Sequence, residues 1–233
     1  MPMIVYPQEE RERLQLLQTA VNYEKQSIAA GEEAGLLPDT IPQLTAFLTA
    51  YAASQEERKL LAVRYSRQAR RRQRGIKRLK RFVGDFVSGL RRRVIRLEED
   101  RAVFIQYGLG ENGRLSPRPT RYDGWLETAA HLLRGEETAV AAGTPPMSNP
   151  SAAELQAVLD EVLVETTAVV AADRAHDEAQ EAVAALRGQA DQWVRDIVLQ
   201  LRYTQRHHPP ASRRRIMRRY GVLFSGQEEA NNE

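Results

Sequence analysis

The stretch "IKRLKRFVGDFVSGLRRRVIRL", residues 76–97, sets the fold class of this 233-residue chain. Its apolar side chains recur every three or four residues. They are Ile76, Leu79, Val83, Phe86, Leu90, Val94 and Leu97. This near-heptad spacing places them on one stripe of an α-helix. Because such a stripe needs an apolar partner, the pattern predicts a long helix packed in a helical bundle.

Basic side chains occupy the side of this helix opposite the apolar stripe. At about 100° per residue, that side carries Arg70, Arg71, Arg74, Lys77, Arg78, Lys80 and Arg81. Arg72 projects onto the apolar side instead, which predicts a turn or kink between Arg72 and Gly75. The sequence leaves open whether residues 40–97 form one long helix or a hairpin.

The rest of the chain also has a helical pattern. Long segments without proline are rich in Ala, Leu, Glu, Arg and Gln, and strand signals are almost absent. Stop and start residues bracket helices at about 8–30, 40–71 and 125–143, followed by a run that ends near residue 203. The chain is therefore predicted to be all-α.

An internal repeat emerges when the chain is compared with itself. When the chain is shifted so that Phe82 falls on Trp193, "FVGDFVSGLR" aligns with "WVRDIVLQLR". The same shift aligns "LTAFL" from Leu44 with "LQAVL" from Leu155. This agreement predicts two tandem duplicated helical units of about three helices each, forming an elongated helical bundle.

The predicted boundaries follow from composition. Residues 1–107 form the first unit, with the basic long helix, and residues 124–224 form the second, with an acidic long helix and a basic end. The segment 108–123 is rich in Gly and Pro and is interpreted as a linker. The polar tail at 225–233 is expected to be disordered.

Each unit closes with a Tyr-Gly pair, Tyr107-Gly108 and Tyr220-Gly221. Glycine suits the left-handed conformation that often follows the end of a helix, so both glycines are predicted to adopt it. The two tyrosines are predicted to be packing anchors, each against its own unit.

Charge is distributed in three blocks, although the net charge of the chain is only +3. Residues 64–96 hold fourteen Arg or Lys and one acid. Residues 122–201 hold fourteen Asp or Glu and four Arg, and residues 202–219 hold seven Arg and no acid. The order is therefore basic, acidic, basic.

Opposed charged faces favour recognition between proteins, because complementary potentials set register and orientation. We therefore expect a non-enzymatic structural or adaptor protein that associates with itself or with an acidic protein surface. The alternative is a nucleic-acid-binding protein that contacts phosphates through residues 64–96 and 213–219. Arg213, Arg214 and Arg215 are the second set of candidate residues. A merely solvated basic face is the third interpretation.

No catalytic, cofactor or metal motif is recognisable. "GLGENG" at 108–113 matches the GxGxxG spacing, but it follows a helix instead of a strand, so it is not interpreted as a dinucleotide site. The adjacent His207 and His208 have no carboxylate at ligand spacing. Neighbouring acids such as Glu136 and Glu137 are interpreted as a solvated helix face. We therefore expect no enzymatic activity, cofactor, metal or small-molecule substrate.

Two compositional features bear on location. The chain contains no cysteine, which excludes disulfides and fits a reducing compartment. No apolar run approaches the roughly 18 residues that a membrane span needs. The expectation is a soluble cytoplasmic protein without a membrane partner.

Overall fold

The computed structural model describes residues 2–225. In chain order the elements are β1 (Ile4–Val5), α1 (Glu10–Ala29), α2 (Thr40–Arg96), α3 (Val103–Gln106), α4 (Tyr122–Ala141), α5 (Ala152–Thr204), α6 (Pro210–Arg219) and β2 (Leu223–Phe224). The all-α prediction is confirmed, with one short antiparallel strand pair added. Of the predicted tail at 225–233, residues 226–233 lie outside the described residues.

Local capping explains where two of these helices begin. Before α1, the side chains and backbone of Glu9 and Glu12 form a reciprocal capping box. Before α5, the Ser151 hydroxyl accepts the Glu154 N–H at 3.2 Å, and the Glu154 carboxylate accepts the Ser151 N–H at 2.8 Å. Each box satisfies backbone donors that a helix start leaves unpaired.

The predicted turn or kink near Arg72 is wrong, because α2 is one continuous helix from Thr40 to Arg96. Arg72 keeps its charge on the apolar side by lying over the Tyr122 ring, with its guanidinium carbon 5.2 Å from the ring centroid. Gly75 is a contact point, because a Cβ there would collide with a Glu165 carboxylate oxygen. The glycine therefore permits close approach of α5.

The chain divides into two compact units. The terminal unit comprises Met1–Leu61 together with His176–Glu233, and the middle unit is Ala62–Ala175. Each compact unit thus draws on both of the predicted sequence units, 1–107 and 124–224. The reason is that α2 and α5 each begin in one compact unit and end in the other.

The core of the middle unit contains most of the apolar stripe. Leu79, Val83, Phe86, Leu90 and Val94 are buried there, and Ile76 is partly buried against the same cluster. Leu97 follows the last residue of α2 and is exposed. The heptad pattern therefore identified buried positions correctly up to the end of the helix.

The terminal unit has its own core, built from α1, the first part of α2, the last part of α5, and α6. Its fully buried side chains include Leu17, Leu44, Tyr51, Ile197 and Leu201. The strand pair joins Ile4 to Phe224 and Val5 to Leu223 at its edge. Among residues 2–225, no helix has both the length and the apolar character needed to cross a bilayer.

Both glycines of the Tyr-Gly pairs have positive φ, +70° at Gly108 and +86° at Gly221. The predicted left-handed conformation is confirmed. Tyr107 and Tyr220 are fully buried, each in a core cluster that contains residues of both predicted sequence units. The Tyr107 hydroxyl donates to Glu136, and the Tyr220 hydroxyl donates to Glu24. In each case the acceptor belongs to the opposite half of the sequence.

Candidate interaction surface

The candidate surface lies on the part of α2 that belongs to the middle unit. We call it the basic face and define it by the seven predicted residues, Arg70, Arg71, Arg74, Lys77, Arg78, Lys80 and Arg81. All seven are exposed. Because the apolar stripe of the same helix is buried in the core, the helix presents these charges to solvent.

Three arginines of the basic face lie close to acids of α5. Arg78 donates to Glu161 at 2.8 Å in an exposed ion pair. Burial and the neighbouring Glu161 raise the pKa of Glu165, while Arg71 and Arg74 oppose the rise. Part of the basic charge therefore acts inside the middle unit, where it stabilises a partly buried carboxylate.

Lys80 has an aromatic neighbour instead of an acid. Its ammonium nitrogen lies 5.2 Å from the centroid of the Trp125 ring, within cation–π range. The indole itself is buried in the core of the middle unit. Lys80 thus covers the edge of the core while its charge stays exposed.

The other three members of the basic face are Arg70, Lys77 and Arg81. Within residues 2–225 none of them forms an ion pair or a hydrogen bond. Arg70 borders a surface groove of about 750 Å³ on α2. The groove is lined by Ala62, Val63, Ser66, Arg67, Arg70, Gln73 and Arg74. The groove combines unpaired cations with apolar surface, since Val63 is 68% exposed.

The second predicted set, Arg213, Arg214 and Arg215, belongs to the terminal unit. Arg213 donates to the backbone oxygens of Arg206 and His208, at 3.4 and 3.3 Å. Arg213 therefore holds the loop before α6, and its role in the fold is structural. Arg214 is partly buried, whereas Arg215 is exposed. The two predicted sets thus belong to different compact units.

The acidic block is also partly paired within the chain. Asp191 accepts from Arg13 at 2.5 Å in the terminal unit. Glu136 pairs with Arg93 at 2.9 Å in the middle unit. Glu136 is 2% exposed, so its interpretation as a solvated helix residue is wrong. Only part of the acidic charge remains for a partner.

On the first part of α5, in the middle unit, one side remains uncovered. Leu163, Val164 and Val170 are 45%, 69% and 63% exposed. Asp160 lies one turn before Val164 and is exposed, with Gln156 as its hydrogen-bond donor. This side of α5 joins apolar surface to negative charge, which complements the mixture in the groove on α2.

Sequence reasoning missed two buried clusters around the Tyr-Gly pairs. In the middle unit, Glu136 accepts hydrogen bonds from the Tyr107 hydroxyl at 2.8 Å and the Met147 N–H at 2.6 Å. In the terminal unit, Glu24 accepts from the Tyr220 hydroxyl and from the N–H groups of Gly35 and Leu36. The available signal was the repeated Tyr-Gly pair, which does not reveal the acceptor.

No family model matches this chain, and comparisons with curated proteins and with solved structures found no match.

Proposed function

We propose that this chain is a non-enzymatic structural or adaptor protein that associates with a second copy of itself through the basic face of α2. The partner surface is the uncovered side of α5 around Asp160, Val164 and Val170. The observation that carries the proposal is the groove on α2, where unpaired Arg70 adjoins the exposed Val63. Apolar side chains bordered by charged residues are the composition of a protein–protein interface, which has an apolar centre and a polar rim.

The proposed surfaces combine charged and apolar side chains, and this combination distinguishes a protein interface from a nucleic-acid-binding surface. Phosphate contacts are made by cations, which release counterions, and by polar donors, so the exposed valines would contribute nothing to them. A protein interface buries apolar side chains and uses charge to set orientation. Val63 on α2 and Val164 on α5 therefore favour a protein partner over a duplex.

We also propose that the chain arose by internal duplication. Both compact units contain a 20-residue helix, α1 or α4. In each, that helix carries a buried glutamate that binds the tyrosine of a Tyr-Gly pair. The shift that aligns the sequence repeat also aligns Leu44 with Leu155 and Leu90 with Leu201. All four of these leucines are buried. These parallels support a duplication in which the last part of each long helix belongs to the compact unit that contains the 20-residue helix of the other copy.

The experiment is a charge reversal with a matched control. The variant Arg70→Glu, Lys77→Glu, Arg81→Glu reverses three exposed cations that have no partner among the described residues. The control Arg11→Glu, Arg118→Glu, Arg202→Glu makes the same change in net charge at exposed positions away from the basic face. Sedimentation velocity and light scattering, at low and high salt, measure the oligomeric state.

We expect the wild type and the control to associate at low salt and to dissociate as salt rises, because screening weakens charge pairing. The basic-face variant should remain monomeric, since each like-charge contact costs several kcal/mol (order of magnitude). A second chain that carries only Asp160→Arg offers a cation on α5 to the reversed basic face. Mixing this chain with the basic-face variant should therefore restore association. A wild type that stays monomeric at all concentrations and salts would refute self-association.

The alternative function is phosphate binding by the same helix. Arg92, Arg93 and Arg96 line a cavity of about 410 Å³ with Ser148 and Asn149, and Arg92 and Arg96 are exposed. Fluorescence anisotropy with a random-sequence duplex, with and without added salt, tests this function. Tight, salt-sensitive binding by a monomeric wild type, lost in Arg92→Glu, Arg96→Glu, would replace our first proposal with this one.

A further inference from the structure

Two loops of the terminal unit bring a carboxylate to the adjacent histidines. Glu33 lies in the loop between α1 and α2, and His207 and His208 lie in the loop between α5 and α6. The Glu33 carboxylate is 3.5 Å from His207 Nε2. One ligand atom from each of the three residues lies within 4.8 Å of the other two. Local sequence spacing concealed this carboxylate, because it lies near the opposite end of the chain from the histidines.

The two imidazoles lie on the same side of their loop. Adjacent residues in a strand point to opposite sides, but this segment is a turn, and the two ring centroids are 4.3 Å apart. The backbone N–H of His208 donates to the Gln205 carbonyl at 3.1 Å. The turn therefore presents both imidazoles together.

Hydrogen bonds hold the α1–α2 loop against the end of α5, which leads directly into the loop that carries the histidines. The Thr204 hydroxyl donates to the Gly35 carbonyl at 2.9 Å, and the Leu37 N–H donates to the Gln200 side chain at 2.9 Å. From the other side, Arg213 donates to the His208 carbonyl at 3.3 Å. The backbone around the three side chains is thus positioned before any ligand binds, which lowers the entropic cost of binding.

From this geometry we propose that Glu33, His207 and His208 form a binding site for a divalent transition-metal ion of the zinc type. Two imidazoles and one carboxylate are ligands that Zn²⁺ accepts, and three protein ligands leave one tetrahedral position open to water or a partner group. Hard cations such as Mg²⁺ prefer an all-oxygen shell, so the two nitrogens select against them.

The distances are compatible with this coordination. Zn–N and Zn–O bonds of about 2.0–2.2 Å imply ligand atoms roughly 3.3–3.5 Å apart in a tetrahedron. The contact between His207 and Glu33 already has this length. The side chains of His207 and Glu33 are 52% and 64% exposed, so small rotations about side-chain bonds bring the remaining ligand atoms into place. The bound ion would link the α1–α2 loop to the α5–α6 loop.

The test is a titration of the full-length, tag-free chain with Zn²⁺ after treatment with a chelator. Isothermal calorimetry gives the stoichiometry and affinity, and Co²⁺ absorption reports the coordination geometry. The variants are His207→Ala, His208→Ala and Glu33→Gln. The matched controls are His131→Ala and His176→Ala, which remove one histidine each outside the cluster. Circular dichroism without metal checks that all variants fold.

We expect one Zn²⁺ per wild-type chain and the visible spectrum of four-coordinate Co²⁺. Loss of a group that only orients a metal ligand lowers metal affinity roughly 10- to 100-fold. Each variant that removes a ligand should lower the affinity for Zn²⁺ by at least that factor. The controls should bind as the wild type does, and Mg²⁺ should not compete. Absence of stoichiometric binding, or equal losses in the controls, would overturn the proposal. If Glu33→Gln bound Zn²⁺ with wild-type affinity, the Glu33 carboxylate would not be a ligand, and the proposed three-residue site would be wrong.

Discussion

The two buried clusters at the Tyr-Gly pairs both stabilise a buried glutamate, but with different partners. In each compact unit a buried glutamate accepts hydrogen bonds from a tyrosine hydroxyl and from one or two backbone N–H groups of a loop. In the middle unit Arg93 adds a cation, because its guanidinium pairs with Glu136 and also contacts the Tyr107 hydroxyl. In the terminal unit neither the hydrogen bonds nor the ion pairs of the described residues give Glu24 a cation.

The space around each tyrosine differs as well. In the middle unit Gly135 lets α4 lie against the Tyr107 ring, since a Cβ there would be 2.7 Å from the ring. In the terminal unit Tyr23 packs edge-on against Tyr220, with ring centroids 4.7 Å apart. The difference shows that a buried carboxylate is tolerated either with a counter-charge or with hydrogen bonds alone, provided that its acceptor sites are filled.

The largest effect is expected from removing the cation of the middle unit. Arg93→Met leaves Glu136 buried without its counter-charge, and breaking a buried pair from one side costs about 3–5 kcal/mol of unfolding free energy. Urea denaturation measures the change. Arg92→Met removes an exposed arginine and should stay within about 0.5 kcal/mol of the wild type. Equal losses in the two variants would show that the Arg93–Glu136 pair does not stabilise the fold.

A smaller effect is expected from removing either tyrosine hydroxyl. Tyr220→Phe and Tyr107→Phe each lose a hydrogen bond to a charged group, worth about 1.5–3 kcal/mol. The loss should be greater for Tyr220→Phe, because Glu24 has no cation among its described partners to compensate. Denaturant titrations of both variants check the order, with the exposed Tyr203→Phe as the control. The reverse order would show that Arg93 does not substitute for the hydroxyl.

The smallest effect concerns alkaline pH. Burial and the hydrogen bond to Glu24 raise the pKa of Tyr220 above its ordinary value of 10.0, and burial and Glu136 do the same for the pKa of Tyr107. Above pH 10 the unfolded tyrosines release protons that the folded ones keep, so stability is complete below pH 10 and falls as pH rises. Each tyrosine contributes at most about 1.4 kcal/mol per pH unit.

Denaturation curves between about pH 9 and pH 11 measure this slope. The double variant Tyr107→Phe, Tyr220→Phe should lose stability less steeply with pH than the wild type, although it is less stable at neutral pH. An unchanged slope would mean that other groups cause the alkaline loss. The single variants apportion the slope between the two units.

Helical class and much of the buried stripe follow from local sequence. The heptad spacing identified Leu79, Val83, Phe86, Leu90 and Val94, because side chains three and four residues apart share one face of a helix whatever it packs against. Glycine after a closing tyrosine likewise predicted positive φ at Gly108 and Gly221, because that conformation is unfavourable for other residues. These features depend on neighbours within about one helical turn.

Contacts between distant groups depend on the folded chain instead. Glu24 is 196 residues from Tyr220, and Glu33 and His207 also lie near opposite ends of the sequence, so no local spacing relates them. The continuous helix α2 carries Arg72 to a position over the Tyr122 ring, and Gly75 leaves room for the side chains of Val162 and Glu165. Sequence patterns established the helices and their charged faces. Tertiary packing selected the partners, because burial and pairing energies come from groups that meet only after folding.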